Sequence, residues 1–268
     1  MGKQAFISEI VMAGGEGALV RVAGGDMSTS VATAITPSAG LSEQDPYIVV
    51  GYGETPAGNR AFRAEIIRDS SGAFVVDLLE NLSTLSGGSF SEAYAVSPDG
   101  AFVVGSSDSP RGPQACYWYY DETLLDWVAV GIGALSSRTF DSIATGVAVN
   151  DDGSLRVIVG YSAVKKAGNA AFLWTPGGGM VSLSSLLMGF DLEVGACTLF
   201  EATGISDDGM VICGTGVNRQ HNVEAWVAKN VMEIDFEDGA DNDGDGLAGC
   251  DDPDDPPPAQ PTIREESA

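Results

Sequence analysis

Four short apolar runs in this chain each end in glycine, and the glycines recur at steps of 54, 55 and 54 residues. The runs are Val49-Val50-Gly51, Val103-Val104-Gly105, Ile158-Val159-Gly160 and Ile212-Cys213-Gly214. A fixed period of this length indicates a repeat architecture, in which each repeat is one supersecondary unit. A single unit cannot bury its apolar faces alone, so the chain has to fold as similar units that cover one another.

Each unit carries two further marks at nearly fixed places. Ten or eleven residues after the glycine stands an alanine with an aromatic residue close behind it: Ala61-Phe62, Ala115-Cys116-Tyr117-Trp118, Ala171-Phe172-Leu173-Trp174 and Ala225-Trp226. In three units an Asp-Gly pair precedes the glycine, at Asp99-Gly100, Asp152-Gly153 and Asp208-Gly209. Asp-Gly between two apolar runs is typical of a β-hairpin with a type I′ turn. Each unit therefore consists of four short strands.

Four antiparallel strands in about 55 residues match the blade of a β-propeller. We therefore predict an all-β propeller of four-stranded repeats over residues 1–230. A fifth copy of the alanine-aromatic pair, Ala5-Phe6, stands at the start of the chain without the half-unit that should precede it. Five blades are the favoured count, and four are the second choice. A β-sandwich and a linear β-solenoid remain as alternatives.

The repeat also predicts what its glycines and cysteines do. The four glycines should occupy equivalent places, either at positive φ or against a neighbouring strand where a Cβ would clash. Replacing Gly160 by Val should then destabilise the fold by about 1–3 kcal/mol. Cys116 and Cys213 stand where other units have Phe and Val, so we expect both to be small core residues.

Charge limits the possible partners. The net charge is −25, from 38 acidic and 13 basic residues. A chain this acidic repels nucleic acid and anionic lipid. Its apolar runs are also far shorter than the roughly 18 residues of a membrane span. The expected partner is an unknown protein or polysaccharide, with no nucleic acid and no direct membrane insertion.

The most specific chemical motif lies in the acidic segment 231–255. Asp241-Asn242-Asp243-Gly244-Asp245-Gly246 begins a twelve-residue loop that ends at Asp252. Ca²⁺ takes six to eight oxygen ligands, and this spacing wraps carboxylates around one centre. The expected ligands are four aspartate carboxylates and one main-chain carbonyl: Asp241, Asp243, Asp245, Asp252 and Leu247. The alternative is a solvated acidic linker. Residues 256–268 are proline-rich and are expected to form a disordered tail.

On these motifs the chain resembles the extracellular HAF-repeat family of bacteria, over about residues 30–229. Residues 144–183 carry the family pattern best, through Asp152-Gly153, Ile158-Val159-Gly160, Ala171-Phe172-Leu173-Trp174 and Gly179-Met180-Val181-Ser182-Leu183. The segment from Glu237 to Asp254 is similar to acidic segments near the C-termini of secreted bacterial proteins. The resemblance implies a secreted or cell-surface location, although no leader is visible in this chain. It implies no particular activity.

None of the common catalytic motifs is present. The single histidine, His221, lies in a polar loop, and the chain has no Gly-x-Ser-x-Gly elbow and no Cys-x-x-Cys pair. We therefore predict a binding or structural module that is not an enzyme. The alternative is a carbohydrate-active enzyme with carboxylates at one propeller face. Two carboxylates roughly 5–9 Å apart beside aromatic rings would favour the enzyme, and a plugged or apolar channel would favour the module.

Overall fold

The computed structural model describes residues 5–8, 19–22, 27–37, 45–136, 140–164, 168–189, 197–229 and 263–265. Strands make up most of this part of the chain. They are β1 Ala5–Ser8, β2 Leu19–Val22, β3 Thr29–Ile35, β4 Tyr47–Thr55, β5 Gly58–Arg68, β6 Phe74–Asn81, β7 Ser91–Val96, β8 Phe102–Ser109, β9 Gly112–Asp121, β10 Asp126–Gly133, β11 Ser142–Val149, β12 Leu155–Val164, β13 Gly168–Thr175, β14 Gly179–Ser182, β15 Thr198–Ile205, β16 Val211–Val217, β17 Val223–Lys229 and β18 Ile263–Glu265. A short helix, α1, spans Leu183–Gly189.

Strands β3 to β18 form four antiparallel sheets of four strands each. Each of the first three sheets is one sequence repeat, whereas the fourth takes its last strand, β18, from beyond the repeat region. The first sheet has the order β3-β4-β5-β6, the second β7-β8-β9-β10, the third β11-β12-β13-β14 and the fourth β15-β16-β17-β18. Neighbours in each sheet are also neighbours in sequence, so each unit is a meander. The predicted all-β class and the four-stranded unit are confirmed.

The Asp-Gly hairpins form where they were predicted, but their turns are not type I′. Only the glycine has positive φ, at 74° in Gly100 and 79° in Gly153. A type I′ turn would need positive φ at the aspartate as well. The aspartate instead accepts hydrogen bonds from residues further along the turn, as Asp99 Oδ1 does from the Ala101 N–H at 3.0 Å. This bond fixes the turn without left-handed backbone at aspartate.

The repeat glycines occupy equivalent places, and the reason is close approach of another strand. A Cβ on Gly160 would lie 2.0 Å from the Ile143 carbonyl oxygen, and the distances at the other three glycines are 1.9 to 2.0 Å. In all four sheets the first strand has a register shift next to this contact, as between Ala144 and Gly146. The bulge pushes a carbonyl group toward the second strand, and only glycine leaves room for it.

Side chains on the two faces of a sheet pack against different neighbours, because successive residues of a strand point to opposite faces. Val104 packs with Ile158 and Phe172 of the third sheet. Val103 instead packs with Val50 of the first sheet. We call the side toward the following sheet the forward face and the opposite side the backward face. In each alanine-aromatic pair the alanine lies on the forward face.

A fully buried serine at the start of a sheet ties it to the sheet before. Ser142 accepts a hydrogen bond from the Ala115 N–H at 2.9 Å and donates one to the Gly133 carbonyl oxygen at 2.6 Å. Ser91 accepts an equivalent bond from the Ala61 N–H at 3.1 Å. These bonds join consecutive sheets, so the order of the sheets in sequence is also their order in space.

The N-terminal strands occupy the place of a sheet before the first one. β1 and β2 form a separate antiparallel hairpin. Val22 is buried in a cluster with Val49 and Phe62 on the backward face of the first sheet. The Ser30 hydroxyl donates to the Val22 carbonyl oxygen at 2.7 Å, just as Ser142 does to Gly133. The hairpin thus stands where the third and fourth strands of a preceding unit would be.

The fourth sheet ends the array, and two expectations change there. Ile263–Glu265, inside the predicted disordered tail, forms β18 and pairs with β17. The rest of that tail and the whole segment 231–255 lie outside the described residues. Cys116 is buried as predicted, but the prediction for Cys213 was wrong, because this side chain is exposed. It lies on the forward face of the fourth sheet, where no following sheet of the described residues packs on it.

No helix within the described ranges has both the length and the apolar character needed to cross a bilayer.

Candidate functional site

An open groove of about 590 Å³ lies between the outer strands of the first and second sheets. Its walls come from β5 and β6 on one side and from β9, β10 and the β7–β8 turn on the other. The side chains that carry its chemistry are charged or aromatic: Arg63, Glu65, Glu80, Asp99, Phe102, Tyr119, Tyr120 and Trp127. Convergent polar groups beside aromatic rings are features that many ligand sites share.

Arg63 is the centre of the polar side of this groove. Its Nη1 lies 2.7 Å from Glu65 Oε1 and 3.7 Å from Glu80 Oε2. Glu80 Oε2 also accepts a hydrogen bond from the Trp127 Nε1–H at 3.1 Å. The guanidinium group itself lies over the Trp127 ring, 5.0 Å from its centroid. The four side chains therefore hold one another in a single arrangement, and a ligand would meet a rigid surface.

Tyr120 forms the aromatic edge of the groove. Its side chain is 44% exposed, the largest exposure among the aromatic residues of the described core strands. The ring packs edge to face on Trp127, with 6.0 Å between the ring centroids. The contact holds the ring against Trp127, while nearly half of the Tyr120 side chain remains accessible to solvent. The Tyr120 ring is thus presented to solvent in a defined orientation.

One buried donor in this network has no acceptor. Within the described part of the chain, the Arg63 Nε–H makes no hydrogen bond although the atom is buried. The Arg63 side chain as a whole is only 12% exposed. A buried donor without an acceptor costs stability and calls for an explanation from function or from a missing partner.

A second group of polar side chains joins the third strand of one sheet to the first strand of the next. Asn59 donates to Glu92 Oε1 at 2.6 Å, and the Tyr94 hydroxyl donates to Glu92 Oε2. Burial, followed by the bond to Glu92, raises the pKa of Tyr94. Asn169 similarly donates to Glu201 Oε1 at 3.2 Å. Each of these glutamates is bonded by an asparagine of the preceding sheet, so the carboxylates serve as ties between sheets.

The residues singled out in the sequence fall in different places. All five predicted calcium ligands, Asp241, Asp243, Asp245, Leu247 and Asp252, lie outside the described residues. Among the residues that are described, no three His, Cys, Asp or Glu side chains come together around a possible metal position. His221 is exposed in the turn between β16 and β17, where its backbone has a positive φ of 63°.

Sequence reasoning missed the groove. Its residues come from two repeats and no local motif connects them. One signal was available, since aligning the units shows a charged residue, Arg63, where the others have Tyr117, Leu173 and Val227. A charged residue at a position that is apolar in the other repeats indicates a role in addition to packing.

No protein-family model matches this chain, and no curated protein is significantly similar to it.

Proposed function

We propose that this chain is a secreted or cell-surface bacterial repeat protein that acts as a non-catalytic binding or structural module. The observation that carries the proposal is that one group of polar residues joins the sheets, whereas another lines an open groove. Glu92 and Glu201 each accept a hydrogen bond from an asparagine of the preceding sheet, so their carboxylates join sheets. The groove at Arg63 and Tyr120 stays open on the outside. A scaffold whose Glu92 and Glu201 carboxylates join sheets, with an open groove elsewhere, suits a binding module.

The experiment compares binding with turnover on the same material. Purified protein is mixed with insoluble bacterial cell-wall polysaccharide and with surface proteins immobilised on beads. We expect depletion of the protein from the supernatant without any increase in reducing ends. Absence of binding to both materials would leave the module proposal without support.

A carbohydrate-active enzyme is the second candidate, because Glu65 and Glu80 lie in the groove beside Tyr120 and Trp127. Paired carboxylates near aromatic rings are the equipment of glycoside hydrolysis. Release of reducing ends that disappears in Glu80→Gln would establish this enzyme in place of the module.

We also propose that the units form a β-propeller, with five units as the favoured count and four as the second. Support comes from the hairpin of β1 and β2, which already stands before the first sheet as half a unit. In a closed ring, the side of this hairpin that points away from the first sheet would pack on the forward face of the fourth sheet. That face carries the exposed Cys213 and Ala225, whose counterparts in other units are buried.

The reaction rate of the Cys213 thiol distinguishes a closed ring of sheets from an open array. In a closed ring we expect Cys213 to react with a thiol reagent at least about tenfold more slowly than the unfolded chain, because a buried thiol must wait for local opening. The buried Cys116 serves as the internal standard, followed by peptide mapping. Labelling of Cys213 at the unfolded-chain rate would show that the array stays open.

The acidic loop is proposed to bind Ca²⁺ through Asp241, Asp243, Asp245, Asp252 and the Leu247 carbonyl group. Support is the register of the carboxylates in sequence, together with the high negative charge that a cation would offset.

Calorimetry tests the calcium proposal. We expect one binding event with Kd of about 10⁻⁴ to 10⁻³ M, the range of extracellular modules, and its loss in Asp243→Ala. The matched control is Asp77→Ala, which removes one exposed carboxylate from β6 and should leave the binding unchanged. Heat that survives Asp243→Ala would place the site elsewhere, and no heat at millimolar calcium would support the solvated linker.

A further inference from the structure

The groove contains a departure from the repeat that packing does not explain. Arg63 on β5 is the cross-strand partner of Glu80 on β6. The equivalent cross-strand pairs are Tyr117 with Val130 in the second sheet and Leu173 with Val181 in the third sheet. One position of the unit therefore holds an apolar pair in two sheets and an ion pair in the first.

The polar pair is unfavourable for packing alone. Partly buried ion pairs lose hydration, and well-packed apolar residues at the same place are often equally stable or more stable. The sister sheets demonstrate that this fold accepts an apolar pair there. Arg63 in addition leaves its buried Nε–H without an acceptor among the described residues. Polar groups kept at such a position are expected at functional sites.

The charges of the groove restrict its ligand. Three carboxylates, on Glu65, Glu80 and Asp99, line it together with the single guanidinium group of Arg63. The carboxylates outnumber the guanidinium group and the chain has a net charge of −25, so an anionic ligand is repelled within about 8 Å, the Debye length at physiological salt. A cationic ligand would be attracted to the carboxylates and the aromatic rings, but the Arg63 guanidinium group already pairs with Glu65 and Glu80 and lies over the Trp127 ring. A neutral ligand remains.

We propose that this groove binds a neutral polysaccharide, with Tyr120 stacking on a sugar ring and the pair of Arg63 and Glu80 bonding its hydroxyl groups. The proposal rests on the proposed function of a binding module. A pyranose ring has an apolar face of C–H groups and a rim of hydroxyls that donate and accept. The exposed ring of Tyr120 fits the first, and the adjacent guanidinium and carboxylate groups of Arg63 and Glu80 fit the second.

The test is affinity electrophoresis in native gels that contain dextran, laminarin, mannan or xylan, with calorimetry on any that retards the protein. Polygalacturonate serves as the anionic comparison. We expect retardation by at least one neutral polysaccharide and none by polygalacturonate. Tyr120→Ala should weaken binding at least about tenfold, as removal of an aromatic anchor does.

The second variant removes the polar pair without disturbing the fold. The double substitution Arg63→Leu with Glu80→Val copies the pair of Leu173 and Val181 in the third sheet. Its melting temperature should fall by no more than a few degrees, because the Trp127 Nε1–H loses its acceptor on Glu80, while binding is lost. The matched control is Met188→Ala, which truncates a side chain that is 59% exposed on α1, outside the groove. This variant should bind like the wild type.

Three results would overturn the proposal. They are the absence of binding to all four neutral polysaccharides, retardation by polygalacturonate alone, and binding that persists in both groove variants. In the last case the binding-module function stands and only its assignment to this groove fails. Binding to surface proteins without binding to any polysaccharide would likewise leave the binding-module function standing and overturn only the proposed groove ligand.

Discussion

Gly160→Ala should destabilise the fold by about 3 kcal/mol, more than is usual for a single methyl group in a core, and Gly160→Val should therefore cost at least the upper end of the range expected from sequence. The new Cβ would lie 2.0 Å from the Ile143 carbonyl oxygen and 2.9 Å from the Ala144 Cα, and both are backbone atoms. A flexible side chain could move aside, but a bulged strand cannot do so without loss of its own hydrogen bonds. The melting temperature should fall by roughly 6–12 °C for a domain of this size.

Gly177→Ala is the matched control for this substitution. Its Cβ would meet no atom within 4 Å, and its backbone does not require positive φ. We expect a change within about 0.5 kcal/mol, as at ordinary surface positions. If both variants melt at the wild-type temperature, the repeat glycines are not required by close approach of the first strand. Thermal unfolding followed by circular dichroism measures both.

Trp118→Ala should cost about 3–5 kcal/mol, because the side chain is fully buried between the first two sheets. It packs with Leu82, Val103 and Trp127. Its Nε1–H also donates to the Ser83 carbonyl oxygen at 2.7 Å, in the connection that leads from the first sheet to the second. Removal of the indole leaves a large cavity and an unpaired carbonyl group at the same junction. Chemical denaturation with urea gives the free energy of unfolding.

Trp174 provides the control, since it is the same position of the repeat in the third sheet. Its ring is only half-buried and packs on Tyr117 with 5.8 Å between the ring centroids. Trp174→Ala should therefore cost less than half as much as Trp118→Ala, because less apolar surface is buried. Trp118→Phe should cost about 1–2 kcal/mol, mainly for the lost hydrogen bond. Equal losses in both alanine variants would mean that the junction is not specially dependent on Trp118.

The alternation of residues along each strand and the positions of the hairpins could be predicted from sequence, and the structure gives the physical reason. Val103, Val104 and Gly105 follow one another along a single strand, so their alternation between two faces follows from strand geometry alone. Asp-Gly placed the hairpins correctly even though the turn type was wrong. The local signal fixes where a chain reverses, but here the aspartate bonds its own turn instead of adopting positive φ.

Cys213 shows where this reasoning fails. It occupies the place of Val159 in the repeat, and the repeat predicts burial for both. Val159 is buried because the fourth sheet packs on it, whereas the described residues provide no sheet to cover Cys213. A sequence position defines which face of a sheet a residue lies on, but only the next element in space decides whether that face is covered.

The sequence alone determined the four-stranded unit, its boundaries, the alternation of its faces and the places of its glycines, because each depends on residues close together in the chain. Tertiary structure alone decided the groove. Arg63 and Glu80 belong to one repeat and Tyr120 and Trp127 to the next, and no spacing in sequence connects their side chains. They meet because buried serines such as Ser91 hold consecutive sheets face to face, which places the outer strands of two repeats side by side. Contacts between repeats depend on how whole sheets pack, and that is decided by many distant residues at once.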